Sequence, residues 1–207
     1  MQSETTRVEA FSDGMFAIAI TLLILEIKVP PPGPEHLAIA LLRQWPSYLA
    51  FLMSFIYIGV MWINHHRMFT HIRKSNDVLL VLNLLLLLGV SVVPFPTAIL
   101  AQYLGGPEQR TAAVFYNATF VVIAIFFNLL WRYAVARQLL DKSVNAAYAE
   151  SITRQYAVGP IVYLLCFGLA WINVRASITL NAALAVFFAL PASLVRRRQI
   201  PPNQPIT

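Results

Sequence analysis

Six apolar runs punctuate the chain, each close to the roughly 20 residues a helix needs to cross about 30 Å of hydrocarbon. They cover approximately 8–29, 46–67, 78–99, 113–133, 156–174 and 177–195. The breaks between them are sharp. VPPPGPEH (29–36) cannot continue a helix, because proline lacks the N–H and clashes with the preceding turn. HIRKSND (71–77) is polar and charged, and YLGGPEQR (103–110) carries Gly-Gly-Pro turn punctuation. Residues 135–154 form the longest polar link and read in part as an amphipathic interfacial helix. NVRAS (173–177) is short enough to make the last two runs an antiparallel hairpin. The pattern predicts an all-α integral membrane protein: one six-helix domain over residues 1–195, then a basic, Pro-rich and disordered cytoplasmic tail over 196–207.

Composition supports a membrane assignment. Of 207 residues, 58% are hydrophobic and 12% charged, with a mean hydropathy of +0.67. Soluble domains carry about 25% charged residues, so little is left to build a water-facing surface. The first run is too long for a signal-peptide core of about 7–15 residues and begins with acidic and polar side chains, so it reads as a permanent span. The net charge of +6 is an orientation signal rather than a nucleic-acid signal. With six spans, the N-terminal side collects Arg7, Arg67, Arg73, Lys74, Arg132, Arg137, Lys142, Arg154, Arg196, Arg197 and Arg198. The opposite side holds Lys28, Arg43, Arg110 and Arg175. The positive-inside rule then places both termini in the cytoplasm. Cys166 is the lone cysteine, which excludes an intrachain disulfide, and no Cys/His cluster has metal-ligand spacing.

The first run, RVEAFSDGMFAIAITLLILEIKVP (7–30), carries the most information. At about 100° per residue, Ile18, Leu22 and Leu25 fall on one stripe that Phe11 and Gly14 continue, with Thr21 about 60° to one side. Asp13 lies about 140° from that stripe, and Glu26 about 80°, as a solvated helix-end charge. The stripe by itself fits packing against another helix or contact with lipid. An ionisable side chain such as Asp13 inside a span is costly and is normally paired or wet. The antiparallel second run brings MWINHHRMFTHI (61–72) to the same depth, offering Trp62, His65, His66 and Arg67. A hydrogen-bonded cluster of Asp13, Ser12 and Arg7 with Trp62, His65 or His66 would lock the rotation of the first helix. The alternative is that these histidines sit at the headgroup level with Trp62 as an interface anchor.

Enzymatic chemistry finds no support. The chain has no HExxH pattern, and His66 and His71, five apart, do not share a helix face. The third run holds Asn83 and a Pro-Phe-Pro break at 94–96. Broken helices line some transporter sites, which makes a secondary transporter with a site there the alternative function. The other reading of the break is a kinked end that closes one side of the fold.

Three motifs in order, RVEAFSDGMFAIAITLLILEI, then WINHHRMF, then LN followed by PFPT, resemble the transmembrane protein 175 family of lysosomal and prokaryotic potassium channels. Arg7, Phe11, Ser12 and Asp13 match its Arg-x-x-x-Phe-Ser-Asp signature, and the resemblance covers about residues 7–100. It implies six spans per repeat, a homotetramer of single-repeat chains, and an ion pathway lined by the first helix. It further implies rings of apolar side chains in that pathway in place of a carbonyl filter, at Ile18, Leu22 and Leu25, with a hydroxyl ring at Thr21. No TVGYG stretch occurs in the chain. The expected function is a potassium-permeable cation channel in a prokaryotic plasma membrane, with potassium as permeant ion and no cofactor, bound metal or nucleic acid. One helix per chain cannot enclose a pore, so cyclic symmetry must close the ring. Arg7 projects toward the same side as the stripe and is expected to be tied to a carboxylate.

Overall fold

The computed structural model describes residues 5–189. Among these residues the chain is all-helical. Its elements are α1 (Thr6–Leu22) with a 3₁₀ extension (Leu23–Glu26), α2 (Leu37–Arg43), α3 (Trp45–His71), α4 (Asp77–Val92) and α5 (Pro94–Tyr103). They continue with α6 (Gln109–Ala136), α7 (Ala146–Ile172) and α8 (Val174–Ala189). Five stretches are long and apolar enough to cross a membrane: Thr6–Glu26, Trp45–His71, Asp77–Tyr103, Gln109–Ala136 and Ala146–Ile172. The helical form follows from the solvent, because hydrocarbon offers no partner for backbone N–H and C=O groups.

Local chemistry sets the element ends. Asn76 and Asn145 cap α4 and α7, their side chains accepting from the backbone N–H groups of Leu79 and Tyr148. The Asn145 cap starts α7 well before the expected span at 156, so part of the long polar link is a continuous extension of that helix. The first helix does not persist to 29. It tightens into the 3₁₀ turn and leaves helical geometry at Ile27, which is extended ahead of Pro30, Pro31 and Pro32. The third run divides at Val93, where Pro94 opens α5 and cannot donate to the ladder. Gly105, with φ of 88°, supplies the left-handed turn after α5. The last expected span, 177–195, coincides with α8 up to residue 189; residues 190–195 and the tail 196–207 lie outside the described residues.

The helices alternate in direction, so α1 begins at the end of the bundle where α3 finishes, α4 starts, α6 finishes and α7 starts. Backbone contacts fasten this end. Thr5 Oγ1 donates to the carbonyl of Ile72, and Ile72 forms an antiparallel bridge with Leu140. Arg73 N donates to Leu139 O at 3.0 Å, and Asp141 N to His71 O at 2.8 Å. Helix α6 runs through the core, with Tyr116, Phe120, Ile123, Leu130 and Trp131 buried against α4, α5, α7 and α8. α4 approaches it closely at Gly89, where an added Cβ would lie 2.8 Å from Ile123 Cγ1. Small residues permit such approach in membranes, where van der Waals contact drives helix association.

Buried polar groups are paired across helices. Ser54 shares hydrogen bonds with Thr97 at 2.7 Å and Tyr116 at 3.0 Å, joining α3, α5 and α6. Tyr57 donates to Asn181 O at 2.8 Å, and Asn181 Nδ2 donates to Asn117 Oδ1 at 3.0 Å, joining α3, α8 and α6. In lipid the alternative to such pairing is an unsatisfied group in hydrocarbon. α1 lies at the edge of this core, packing only one of its faces against α3, α4 and, at its far end, α5.

Candidate functional site

α1 has two unlike faces. Ser12, Phe16, Ala19 and Leu23, at intervals of three and four, are buried against the neighbouring helices. Ile18 is two residues from Phe16, about 200° around the helix, and faces away from the subunit. The outward stripe is continuous: Phe11, Ile18, Leu22 and Leu25 are 53%, 57%, 41% and 60% exposed. Gly14 and Thr21 are exposed among them. The 3₁₀ turn at Leu23–Glu26 advances by about 120° per residue, which sets Leu25 directly above Leu22 instead of off to one side.

Thr21 is the only hydroxyl on this stripe. Its Oγ1 lies 2.9 Å from both Ala17 O and Ile18 O, so its hydrogen is directed back onto the helix backbone. With its hydrogen so engaged, the exposed hydroxyl oxygen is free to act as an acceptor. Beyond the stripe, Lys28 sits 3.9 Å from Glu26 and donates to Leu25 O at 2.7 Å.

The N-terminal end of α1 is held by two separate polar contacts. On the exposed side, Trp62 Nε1 donates to Asp13 Oδ1 at 2.9 Å, and the Trp62 ring stacks on His66 with centroids 6.4 Å apart. On the buried side, a chain of bonds runs across three helices. His65 Nε2 meets Asn83 Oδ1 at 2.9 Å, Asn83 Nδ2 donates to Ser12 Oγ at 3.0 Å, and Ser12 donates to Val8 O at 2.8 Å. Because the Asn83 oxygen can only accept, His65 carries its proton on Nε2. The His65 ring lies between Phe16, at 5.4 Å, and Phe69, stacked at 4.5 Å.

Of the residues singled out in the sequence, Asp13 and Trp62 are brought together, as are Ser12 and His65 through Asn83. His66 touches the cluster only by stacking on Trp62. Phe11 points outward with the stripe. Arg7 is exposed, and among the described residues no carboxylate forms an ion pair with it. Asn83 is the residue whose place in this site the sequence reading did not see. Its signal was available: a single amide in a leucine-rich helix, six residues after the start of α4 and so level with His65, six before the end of α3. Among the described residues no group of three His, Cys, Asp or Glu side chains is placed to hold a metal ion.

Comparison with known proteins gives the same answer from several sides. Residues 7–94 match the family described as the endosomal/lysosomal potassium channel TMEM175. A potassium channel of Chamaesiphon minutus is 50% identical over 193 residues, covering 91% of this chain and 95% of that protein. A potassium channel of Streptomyces collinus is 43% identical, covering 90% and 92%. The crystal structure of a lysosomal potassium-selective channel TMEM175 homolog from Chamaesiphon minutus superposes with a TM-score of 0.81 at 48% identity, over 91% of this chain and 97% of that one. Signature residues, helical architecture and near full-length similarity converge, and the chain, a multi-pass membrane protein, belongs to the TMEM175 family.

Proposed function

We propose that this protein is a potassium-permeable cation channel in a prokaryotic plasma membrane, a homotetramer whose pathway runs along α1 of each subunit. The observation that carries this reading is the outward stripe of α1. A helix whose exposed apolar face bears one hydroxyl with its hydrogen engaged on the backbone is suited to surround an axis, and relatives similar over nearly their whole length are named potassium channels. In this reading Ile18, Leu22 and Leu25 form stacked apolar rings and Thr21 a ring of acceptors between them.

Selectivity follows from hydration. An apolar constriction makes an ion shed part of its water shell, and potassium holds that shell less tightly than sodium. Four Thr21 oxygens return some of the lost coordination. Such rings favour potassium modestly, and apolar constrictions also gate by dewetting. Both termini lie in the cytoplasm, six spans cross the membrane, and the Asp13–Trp62 and Ser12–Asn83–His65 contacts hold the inner end of α1 at the angle that keeps the stripe on the axis.

The break in the third run favours this reading over a transporter site there. The Thr97 hydroxyl donates to Val93 O at 2.8 Å and shares a 2.7 Å bond with Ser54, so it is engaged inside the subunit. Purified protein in liposomes is expected to pass potassium down its gradient without a coupling ion, and cross-linking in the membrane to stop at four chains. Absence of potassium flux, or flux that saturates and requires a second ion, would overturn the proposal.

A further inference from the structure

The end of the bundle opposite the N-terminus carries four basic side chains, and they divide into two pairs. Lys28 lies 3.9 Å from Glu26, and Arg43 lies 3.0 Å from Glu35. Arg110 and Arg175 have no ion-pair partner among the described residues, and both line one cavity of about 710 Å³. Two turns build this cavity, the one between α5 and α6 and the one between α7 and α8, and its walls include Glu108, Thr111, Ile172 and Asn173. Glu108 is the one carboxylate there. Its Oε2 accepts from Thr111 Oγ1 at 3.2 Å, and one carboxylate against two arginines leaves the cavity with a net positive charge.

The setting selects the ligand. The cavity lies where the apolar spans Asp77–Tyr103, Gln109–Ala136 and Ala146–Ile172 begin or end, the depth of phospholipid headgroups. Ile172 in its wall is 81% exposed and Trp171, its neighbour in sequence, 55%, an apolar surface for acyl chains. Arginine is the side chain that recognises phosphate oxygens in bidentate fashion. We propose that Arg110 and Arg175 form a phosphate-binding site for an anionic phospholipid, seated across the α5–α6 and α7–α8 turns with its chains along Trp171 and Ile172. A bound lipid would bridge the α6–α7–α8 part of the subunit from outside. No residue of α1 lines this cavity.

The test is native mass spectrometry of detergent-purified protein given an equimolar mixture of phosphatidylglycerol and phosphatidylcholine. The wild type is expected to retain phosphatidylglycerol preferentially, and the double variant Arg110→Gln/Arg175→Gln to lose that preference by about tenfold. Arg110→Lys/Arg175→Lys, which keeps the charge and loses the planar fork, is expected to fall between the two. Arg43→Gln, at the same end but paired with Glu35, is expected to behave as the wild type. A wash with excess inorganic phosphate separates the two sources of the group: lipid that survives it supports a headgroup site, and lipid fully displaced by it overturns the lipid in favour of free phosphate. Equal phosphatidylglycerol retention by the wild type and the double glutamine variant, or an equal loss in Arg43→Gln, would also overturn the site.

Discussion

The indole N–H of Trp62 donates to the carboxylate of Asp13 at 2.9 Å, joining α1 to α3 on the exposed side of their contact. The bond explains how a charge is tolerated in the first turns of an apolar helix: one oxygen is partnered and the group lies near the helix end, within reach of water. Asp13→Ala is expected to lower stability by about 1 kcal/mol, and Trp62→Phe by a similar amount. Asp13→Asn, which keeps an acceptor oxygen, should lie closer to the wild type. Thermal unfolding in detergent, read with subunit cross-linking, checks this; wild-type stability and assembly in Asp13→Ala would remove the bond's role.

Asn83 serves two helices at once, accepting from His65 and donating to Ser12. Asn83→Leu strands His65 Nε2 inside the bundle and leaves Ser12 only its bond to Val8 O, so it is expected to cost about 1–3 kcal/mol, more than Ser12→Ala alone. A double-mutant cycle over Ser12 and Asn83 should show coupling, because the two side chains share one bond. Additive losses would mean that the chain of bonds does not act as a unit.

Gly89 has no room for a side chain. An added Cβ would sit 2.8 Å from Ile123 Cγ1 and force α4 from α6 or Ile123 from its rotamer. Gly89→Ala is expected to cost about 1–3 kcal/mol, and Ile123→Ala in the same chain to recover part of the loss. Melting temperatures of the two single variants and the double variant test this, and no rescue in the double variant would place the strain elsewhere.

Asp141, in the turn between α6 and α7, is held well below the ordinary carboxylate range, at about 2. The Ser143 hydroxyl and backbone N–H come first among the causes, and Arg73, at 3.0 Å, follows. A depressed folded-state value means the ionised form is favoured in the folded protein. Its contribution is therefore complete above the ordinary aspartate value near 3.8 and is lost as pH falls through about 2. Asp141→Asn should be less stable than the wild type at pH 5, with the difference shrinking toward pH 2. Exposure keeps the effect small. A gap that widens on acidification would contradict the assignment.

The sequence made the architecture legible because a bilayer leaves the chain few choices: apolar runs of span length must become helices, and prolines and polar clusters must end them. The stripe on α1 was equally legible, since helical periodicity alone separates Ile18 and Leu22 from Phe16 and Ala19. Less was readable at the element ends. The early start of α7 depends on the Asn145 cap, and the 3₁₀ turn at Leu23–Glu26 is a local tightening of the helix end; apolar periodicity reports neither. The interhelical polar pairs were hidden for a different reason. Asn83, Asn117 and Asn181 look alike in a sequence, and only packing shows that one reaches α1 while the other two meet each other. Arg7 illustrates the limit most clearly, because its expected carboxylate belongs to no described residue of the same subunit.

The most direct test of the central claim is a bi-ionic recording on purified protein in a planar bilayer, potassium on one side and sodium on the other, for the wild type, Ile18→Asn and Leu22→Ala. If α1 lines the constriction, the wild type reverses at a potential that favours potassium. Ile18→Asn, which wets one of the proposed rings, should then raise conductance and reduce the potassium-to-sodium ratio, and Leu22→Ala should raise conductance. Conductance and reversal potential unchanged in both variants would show that ions pass elsewhere and that the exposed stripe of α1 faces lipid or another subunit without touching the pathway.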